Sequence, residues 1–290
     1  MIMSKTFYST YKKEIHHFID NALKEDIQDG DHSSLACLDN DKNSKASLLV
    51  KEPGIIAGVE LAEIIFKRQN PEFTIDFAIK DGAEVQPGDI VFTIEGPQLD
   101  LLATERLVLN CMQRMSGIAS LTQRLSKKIN HTSCRLLDTR KTTPNFRYPE
   151  KWAVRIGGGI NHRMGLFDMI MLKDNHIDFA GSVAEALDRT DNYLKQNNLE
   201  LPVIVEVRDV KEIEACLSFD WIHRLLLDNM PPQALREALK LIDGKFDTEA
   251  SGNITEESIT AIAETGVDYV SLGALTHSAK NIDLSLKAVN

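Results

Sequence analysis

The spacing of apolar and polar positions divides the chain into two parts of different character. In the first part, apolar residues recur at helical spacing from Ile15 to Leu23, which predicts an amphipathic helix. Residues 45–51 alternate as a β-strand does, and residues 59–69 have helical spacing. The runs at 73–79 and 90–94 predict two further strands, joined through turn sequences. This order of elements predicts a small α+β unit.

A long helical pattern connects the two parts. Helical spacing continues from Leu99 to about Ile129. Ser116-Gly117 interrupts it with two residues that are weak helix formers. The pattern therefore predicts two helices that meet near Ser116-Gly117.

The second part repeats one motif, a short apolar run followed by helical sequence. Six such runs are present, at residues 135–137, 169–172, 203–205, 225–227, 246–248 and 269–272. Strands that alternate with helices are typical of a parallel sheet covered by helices. Six or seven strands of this kind close, or nearly close, a barrel.

Polar residues follow nearly every one of these predicted strands. The segments are Asp138–Lys141, Lys173–His176, Glu206, Asp228–Asn229 and Glu249–Gly252, and the last strand runs into Gly273. One such residue is commonly a helix cap. Five strands in succession with ionisable or Ser-Gly ends favour a shared site, because the carboxyl ends of parallel strands meet at one face.

Charge and composition limit the partners of this site. The formal net charge is −10, which argues against a nucleic-acid ligand. No apolar run approaches the ~18 residues that a membrane span needs. The four cysteines are scattered without a paired motif, as expected for reduced thiols in the cytoplasm. Residues 138–173 nevertheless carry seven Lys or Arg and three Asp or Glu, so we expect an anionic substrate there.

The ionisable residues at the strand ends favour phosphate and carboxylate chemistry. Fixed positive charge comes from Arg140, Lys141, Arg163 and Lys173. Arginine binds carboxylate or phosphate with two parallel hydrogen bonds, and lysine binds phosphate as a point charge. Glu206 and Asp228 are oxygen ligands suited to Mg²⁺ that bridges substrate phosphates, or are ion-pair partners of the lysines.

Two glycine-containing loops are candidates for phosphate binding. Ser251-Gly252-Asn253 precedes a helix predicted to begin near Ile254, and Gly273-Ala274 follows the last strand. Both offer backbone N–H groups to a phosphate, although each is also explained by turn formation alone. The three glycines at 157–159 do not follow a strand, so a dinucleotide-binding motif is rejected. Zinc is not expected either, because His162 and His176 lack suitably spaced partners.

Six ordered segments resemble the quinolinate phosphoribosyltransferase family, and the resemblance runs through nearly the whole chain. The segments are Asp138–Pro144, Gly157–Arg163, Lys173–His176, Leu227–Met230, Glu249–Gly252 and Ser271–Ser278. The resemblance implies an α/β fold, an incomplete parallel α/β barrel preceded by a smaller N-terminal α+β domain. We place the N-terminal domain at residues 1–115 and the barrel at 116–275. Residues 276–290 are predicted to return as a tail to the N-terminal domain.

The resemblance also implies a reaction of de novo NAD biosynthesis. Quinolinate and phosphoribosyl pyrophosphate give nicotinate mononucleotide, pyrophosphate and CO₂ in the presence of Mg²⁺. The residues implied to hold the quinolinate carboxylates are Arg140, His162, Arg163 and Lys173. Those implied to serve the ribose, the pyrophosphate and the metal are Lys141, Glu206 and Asp228, with Glu206 and Asp228 as metal ligands.

The remaining implied site residues bind substrate and complete the site. The 5′-phosphate is assigned to Ser251, Gly252, Asn253, Gly273 and Ala274, and Thr139 belongs to the substrate-binding set. Arg106 is implied to reach quinolinate from a partner subunit. A homodimer with shared active sites follows from this, and assembly beyond the dimer stays open.

Two residues depart from the family's motifs. Asn145 follows Thr-Thr-Pro and Asn253 follows Ser-Gly, at positions where glycine is common in the family. Asparagine tolerates positive φ better than most residues. We therefore expect neither residue to disable the site, and the geometry of both loops stays open.

Two other functions compete with this interpretation. The first is a relative of the same fold with another substrate, such as the molybdenum-transport-associated paralogue or a nicotinate phosphoribosyltransferase. The four residues Arg140, His162, Arg163 and Lys173 favour a substrate with two carboxylates. The second is a carrier module, because Glu84–Asp89 resembles the turns of biotinyl and lipoyl carriers. The lysine that such carriers modify, at a hairpin tip and commonly between methionines, is not found in the sequence.

Overall fold

The computed structural model describes residues 6–289; residues 1–5 and 290, the outer ends of the predicted first domain and tail, lie outside the described residues. In chain order, the helices are α1 (Phe7–Thr10), α2 (Lys12–Ile27), α3 (His32–Cys37), α4 (Val59–Gln69), α5 (Gln98–Ile129), α6 (Arg147–Ile156), α7 (Asp174–Ala180), α8 (Val183–Asn197), α9 (Val210–Cys216), α10 (Pro232–Ile242), α11 (Ile259–Ala263) and α12 (Ala274–His277). The strands are β1 (Asn43–Val50), β2 (Gly54–Ile55), β3 (Thr74–Phe77), β4 (Glu84–Val85), β5 (Ile90–Pro97), β6 (Arg135–Leu137), β7 (Ile170–Leu172), β8 (Val203–Val207), β9 (Arg224–Asp228), β10 (Asp247–Ser251), β11 (Tyr269–Ser271) and β12 (Leu284–Ala288).

The described chain forms two compact units that are interleaved in sequence. The first unit contains the residues up to 123, residues 141–158 and the residues from 274 onward. The second contains residues 124–140 and 159–273. The domain boundaries expected at 115 and 275 assume contiguous segments, and they stay a prediction.

The first unit is built on an antiparallel sheet of four strands in the order β12-β1-β5-β3. The last strand, β12, pairs with β1 from Ala46–Ala288 to Val50–Leu284. Phe66 of α4 lies against the sheet, with its ring 6.1 Å from that of Phe92 on β5. Both rings are fully buried, and burial of apolar surface of this kind is the main stabilising contribution to a small domain.

Helix α4 has the bounds that the hydrophobic spacing predicts, Val59–Gln69. The residue before it is Gly58, which has no side chain to cap the helix. The carboxylate of Asp81 replaces that cap, accepting hydrogen bonds from the N–H groups of Val59 at 2.9 Å and Glu60 at 3.1 Å. Burial raises the pKa of Asp81, and these backbone hydrogen bonds offset part of the effect.

The second unit contains a parallel sheet of six strands in the order β6-β11-β10-β9-β8-β7. Within residues 6–289 the outer strands β6 and β7 do not pair with each other, so the barrel stays open. Ile160 forms a single parallel bridge with Leu137 at the free edge of β6. The predicted fold, an incomplete parallel barrel with a smaller α+β domain, is confirmed.

The prediction of two helices meeting near Ser116-Gly117 is wrong, because α5 is one helix of 32 residues. The two weak helix formers, Ser116 and Gly117, instead contact segments that are distant in the sequence. The hydroxyl of Ser116 accepts a hydrogen bond from Ala57 N at 2.9 Å and donates to Ala57 O at 3.2 Å. A Cβ atom on Gly117 would overlap the carbonyl of Lys280, so glycine allows the C-terminal segment to approach the helix.

No helix among residues 6–289 combines the length and the apolar character that crossing a bilayer requires.

We predict that Gly117→Ala destabilises the protein although alanine is the better helix former. Alanine gains about 1 kcal/mol in helix propensity, but forcing a methyl group into a filled space costs about 1–3 kcal/mol. The free energy of unfolding should fall by up to about 2 kcal/mol, measured by denaturant titration. Asn110→Ala, at an exposed position of the same helix, is the control and should not destabilise. A stability gain in both variants would contradict the steric role of Gly117.

Candidate active site

Several predicted site residues share one face at the carboxyl ends of the parallel strands. Leu226 and Asp228 lie on the same face of β9, since side chains alternate along a strand. Glu206 of β8 is in register with Leu226, and Ser251 of β10 is in register with Asp228. Residues in register on parallel strands point to the same side of the sheet. The structure therefore brings Glu206, Asp228 and Ser251 to one face, as the sequence predicts.

Arg140 and Arg163 form the cationic part of this site. Arg140 is half-buried, and within residues 6–289 its buried Nε atom has no hydrogen-bond partner. Arg163 is 9% exposed and donates a hydrogen bond from Nη1 to the carbonyl of Met169 at 3.1 Å. Burial lowers the pKa of Arg163, the positive charge of Arg140 lowers it further, and Asp168 acts in the opposite direction. Two partly desolvated guanidinium groups of like charge favour the binding of an anion.

Two aspartates hold the backbone on either side of Arg163. Asp138 is fully buried and accepts hydrogen bonds from His162 N at 2.8 Å and from Asn161 Nδ2 at 2.7 Å. Asp168 accepts hydrogen bonds from the backbone N–H groups of Met164 at 2.6 Å and Gly165 at 2.9 Å, the two residues that follow Arg163. Neither aspartate was among the predicted substrate-binding or catalytic residues. The sequence feature that could have identified them is their position as acidic residues within a basic segment.

The ring of His162 is buried, and its hydrogen bonds indicate one tautomer. Its Nδ1 atom lies 2.7 Å from the backbone N–H of Arg163, which only donates. Nδ1 therefore accepts, and the ring proton is on Nε2. Nε2 lies 3.4 Å from Oε2 of Glu249. His162 is thus placed against an internal carboxylate, while its expected contact with a quinolinate carboxylate stays a prediction.

Glu249 lies inside a strand and not beyond its end. The sequence predicts a strand at 246–248 that runs into Glu249, whereas β10 extends over Asp247–Ser251. Glu249 is fully buried, with Arg224 Nη1 at 3.0 Å from its carboxylate. Charged residues are rarely buried without a partner, so the sequence pattern ends the buried strand before Glu249. The pattern contains no information about the partner, Arg224.

Lys173 and Glu206 form an ion pair across the ends of β7 and β8. Lys173 Nζ lies 3.4 Å from Glu206 Oε2, with the lysine side chain about half exposed and the glutamate side chain 11% exposed. Asp228, on the next strand, accepts a hydrogen bond from Asn229 Nδ2 at 2.6 Å. No group of three His, Cys, Asp or Glu side chains among the described residues is arranged to hold a metal ion. Two carboxylates on one face fit a Mg²⁺ ion that is held mainly by substrate phosphates.

The loop after β10 has backbone dihedrals that only a few residue types adopt readily. Gly252 and Asn253 have φ values of 89° and 50°, and Asn229 on the neighbouring loop has 55°. A Cβ atom on Gly252 would overlap the side chain of Asn229, which accepts a hydrogen bond from Asn253 Nδ2 at 2.9 Å. As expected, asparagine tolerates the positive φ at Asn253, and also at Asn145, where φ is 62°.

The helix predicted near Ile254 begins later, at Ile259. A turn occupies the intervening residues, in which Thr255 N donates to the hydroxyl of Ser258 at 2.9 Å. Competing hydrogen bonds of this kind delay a helix start. The Ser251 loop therefore offers its own backbone N–H groups without a helix end directly behind it.

Three predicted site residues belong to the first unit, and the others to the second. They are Arg106, Lys141 and Ala274. Lys141 and Ala274 directly follow Arg140 and Gly273 in the chain, and Arg106 is exposed on α5. How they contribute to the site stays a prediction. In the second unit, Thr139 lies between Asp138 and Arg140 and is half-buried.

A closed network of hydrogen bonds holds the segment that begins with Lys141. Thr276 Oγ1 donates to the carbonyl of Lys141 at 2.9 Å. Thr143 donates from N and from Oγ1 to the two carboxylate oxygens of Glu150, both at 2.9 Å. Arg114 pairs with Glu150 at 2.9 Å and also donates to the carbonyl of Thr276. Neither Arg114 nor Glu150 was expected in this role, because Arg114 lies 36 residues from Glu150 and 162 residues from Thr276.

Comparisons with known proteins identify the family of the chain. Two family models match the chain, the quinolinate phosphoribosyl transferase N-terminal domain over residues 31–116 and the C-terminal domain over residues 118–287. A quinolinate phosphoribosyltransferase [decarboxylating] from Nicotiana tabacum is 46% identical over 281 residues, which cover 92% of this chain and 80% of the relative. A probable nicotinate-nucleotide pyrophosphorylase [carboxylating] from Bacillus subtilis is 38% identical over 275 residues, covering 95% of this chain and 92% of the relative.

Solved structures give the same result. The crystal structure of NadC from Streptococcus pyogenes superposes with a TM-score of 0.88 at 38% identity, and the match covers 96% of this chain and 98% of that chain. The matches extend over both units and include the strand-end segments described above. The chain belongs to the quinolinate phosphoribosyltransferase family.

Proposed function

We propose that the protein transfers the phosphoribosyl group of phosphoribosyl pyrophosphate to quinolinate with loss of CO₂, giving nicotinate mononucleotide and pyrophosphate for de novo NAD biosynthesis. The observation that carries the proposal is the pair Arg140 and Arg163, two partly buried cations that repel each other beside a buried N–H without a partner. A dianionic substrate relieves that repulsion. The names of the relatives support the same activity.

The reaction needs two anions to approach each other. The ring nitrogen of quinolinate forms a bond to C1′ of the ribose while the bond from C1′ to the pyrophosphate oxygen breaks. Arg140 and Arg163 hold the carboxylates and Lys141 balances the charge of the leaving pyrophosphate, so catalysis is mainly positioning and electrostatics. The ring then carries positive charge at nitrogen. When the 2-carboxylate leaves as CO₂, its bonding electrons stay on the ring carbon, which takes a proton from solvent.

The phosphate of the ribose is assigned to the loops after β10 and β11. Gly252 and Asn253 present backbone N–H groups in a conformation that a larger side chain at 252 would block. Gly273 and Ala274 provide a second loop at the next strand. Backbone N–H groups bind phosphate without the entropy cost of ordering long side chains.

We assign Glu206 and Asp228 as the residues that hold Mg²⁺ together with the substrate. The ion, when bound, neutralises charge on the pyrophosphate oxygens. Glu206 is paired with Lys173 at 3.4 Å, so its negative charge would be shared between the lysine and the metal when the metal is bound. We also place the protein in the cytoplasm, which its four free cysteines support, although some plant relatives are described as mitochondrial or chloroplastic.

We predict a strong preference for quinolinate over nicotinate. Nicotinate lacks one carboxylate and leaves a desolvated cation without its partner, which costs about 1–3 kcal/mol. The value of kcat/KM should therefore be at least about fivefold higher for quinolinate. Product nicotinate mononucleotide, quantified by chromatography with each acid, is the measurement. Equal turnover of both acids would exclude the proposed substrate.

We predict that Glu206→Gln and Asp228→Asn each depress turnover strongly and shift its dependence on Mg²⁺. Each change removes a metal ligand but keeps the size of the side chain, so the fold should survive. The measurement is kcat across a Mg²⁺ titration, with circular dichroism to check folding. Glu214→Gln, at an exposed position of α9, is the matched control and should behave as wild type. If both site variants have normal activity and an unchanged dependence on Mg²⁺, Glu206 and Asp228 have a structural role only.

We predict that Arg106 acts across a two-fold dimer interface. Arg106→Ala and Lys173→Ala should each be nearly inactive alone. In a mixed dimer one shared site receives both lesions and the other receives neither. Random exchange makes about half of the dimers mixed, so about a quarter of all sites should recover.

The test is refolding of the two variants together, followed by the activity assay. Lys173→Ala mixed with Glu206→Gln is the matched control, because both residues belong to the second unit and no intact site forms. Recovery in the first mixture alone supports the shared site. Unchanged activity in a sample shown to contain mixed dimers would place Arg106 outside the partner's site.

A further inference from the structure

A buried pair of charges lies beneath the carboxyl-end site, on the same face of the sheet. Along β9, Arg224 and Asp228 share a face because they are four residues apart. The register pairs Arg224 with Asp247, and Asp228 with Ser251, so Glu249 lies on this face between the two levels. The site residues at the strand ends therefore rest on a layer that contains Arg224 and Glu249.

The lower half of this layer fixes the position of Glu249. Arg224 Nη1 donates to Glu249 Oε2 at 3.0 Å. The Arg224 guanidinium also lies over the ring of Tyr269, 3.9 Å from its centroid. Arg224 is 8% exposed and Glu249 is fully buried. A buried ion pair is costly to desolvate and contributes little net stability, so stability alone is a weak reason for its presence.

The upper half of the layer connects Glu249 to the site. The same oxygen, Glu249 Oε2, lies 3.4 Å from Nε2 of His162. Although burial raises the pKa of Glu249, its interactions with His162 and Ser271 and the charge of Arg224 outweigh burial and hold the pKa below the usual value. The carboxylate is therefore ionised at neutral pH and attracts the proton of His162 to Nε2.

The tautomer of His162 determines whether the next backbone amide is satisfied. With the proton on Nε2, Nδ1 is free to accept from Arg163 N–H, as the 2.7 Å distance indicates. A proton on Nδ1 would place two donors against each other at that distance. The loop would then shift, and the Arg163 side chain would shift with it. In its present position, the Arg163 side chain donates to the carbonyl of Met169, and the carboxylate of Asp168 binds the backbone of the same loop at Gly165.

We propose that Glu249, supported by Arg224, is a positioning residue that holds His162 in its Nε2–H tautomer and thereby places Arg163 for binding a carboxylate of the substrate. The proposal rests on the proposed function, because it assumes that Arg163 binds quinolinate. His162 then acts mainly from beneath the site, through the backbone of Arg163.

The first test is the tautomer itself, in the unliganded wild-type protein at neutral pH. Long-range ¹⁵N–¹H correlation spectra of histidine-labelled protein distinguish Nε2–H from Nδ1–H, and His162→Asn identifies the signal. The Nε2–H form is expected. Finding Nδ1–H or a doubly protonated ring would overturn the proposal. This measurement does not depend on activity, so it stands even if the protein fails to turn over quinolinate.

The second test removes the acceptor without leaving a buried charge. The double variant Glu249→Leu/Arg224→Met replaces the whole pair with apolar side chains, whereas Glu249→Gln keeps an acceptor oxygen for His162. In the double variant we expect a mixture of His162 tautomers and a rise of at least about tenfold in the KM for quinolinate. The KM for phosphoribosyl pyrophosphate should change less than about twofold. Glu249→Gln should restore most of the quinolinate affinity.

A purely structural role gives a different result. Thr248→Val is the matched control, because Thr248 is buried on the opposite face of β10 and its hydroxyl donates to Asp268 at 2.6 Å. This variant should lose stability and keep both KM values. If the double variant does the same, with His162 still in the Nε2–H form, the proposal is wrong. It is also wrong if Glu249→Gln impairs quinolinate binding as much as the double variant does.

Discussion

The burial of the like charges Arg163 and, in part, Arg140 is the constraint on which the rest of the site depends. Two guanidinium groups that are partly removed from water raise the free energy of the unliganded protein, and only a fold that fixes both can keep them together. Asp138 performs that function by binding the backbone N–H of His162 and the side-chain amide of Asn161. Asp168 does so by binding the backbone N–H groups of Met164 and Gly165. In the proposed function, an anionic substrate compensates these charges, which folding has already brought together. This is electrostatic preorganisation in the sense used for enzymes.

The parallel sheet makes this arrangement possible because its register stacks residues in levels. Asp228 and Ser251 form one level at the carboxyl ends, with Glu249 and then Arg224 below. Charged residues in the lower levels would be costly alone, but each has a partner of opposite charge or an aromatic face. The open edge of the sheet contributes as well. Ile160 bridges to β6 there, and the segment that carries His162 and Arg163 continues directly from it.

In the first unit, contacts between residues distant in the sequence hold helices and loops in place. Ser116 and Gly117 let the backbone at Ala57 and at Lys280 approach α5, and Asp81 caps a helix that begins 22 residues earlier. The segment that begins with Lys141 is held in the same way, by Thr276 and by the pairing of Arg114 with Glu150. These contacts explain why residues with poor helix propensity, or charged residues in a core, occur where local rules do not place them. Their partners compensate for the local cost.

The sequence by itself determined the features that depend on local periodicity and on chemical type. It located the six parallel strands, the bounds of α4 and the polar strand ends, because apolar spacing and residue charge are properties of short segments. The tertiary structure alone decided that Glu249 lies inside β10, that α5 is unbroken at Gly117, and that α11 starts at Ile259. Glu249 pairs with Arg224 and Gly117 packs against Lys280, and both of these partners are remote in the chain. A pattern along the sequence contains no information about such a partner, since the free energy that settles the conformation comes from a contact that exists only after folding.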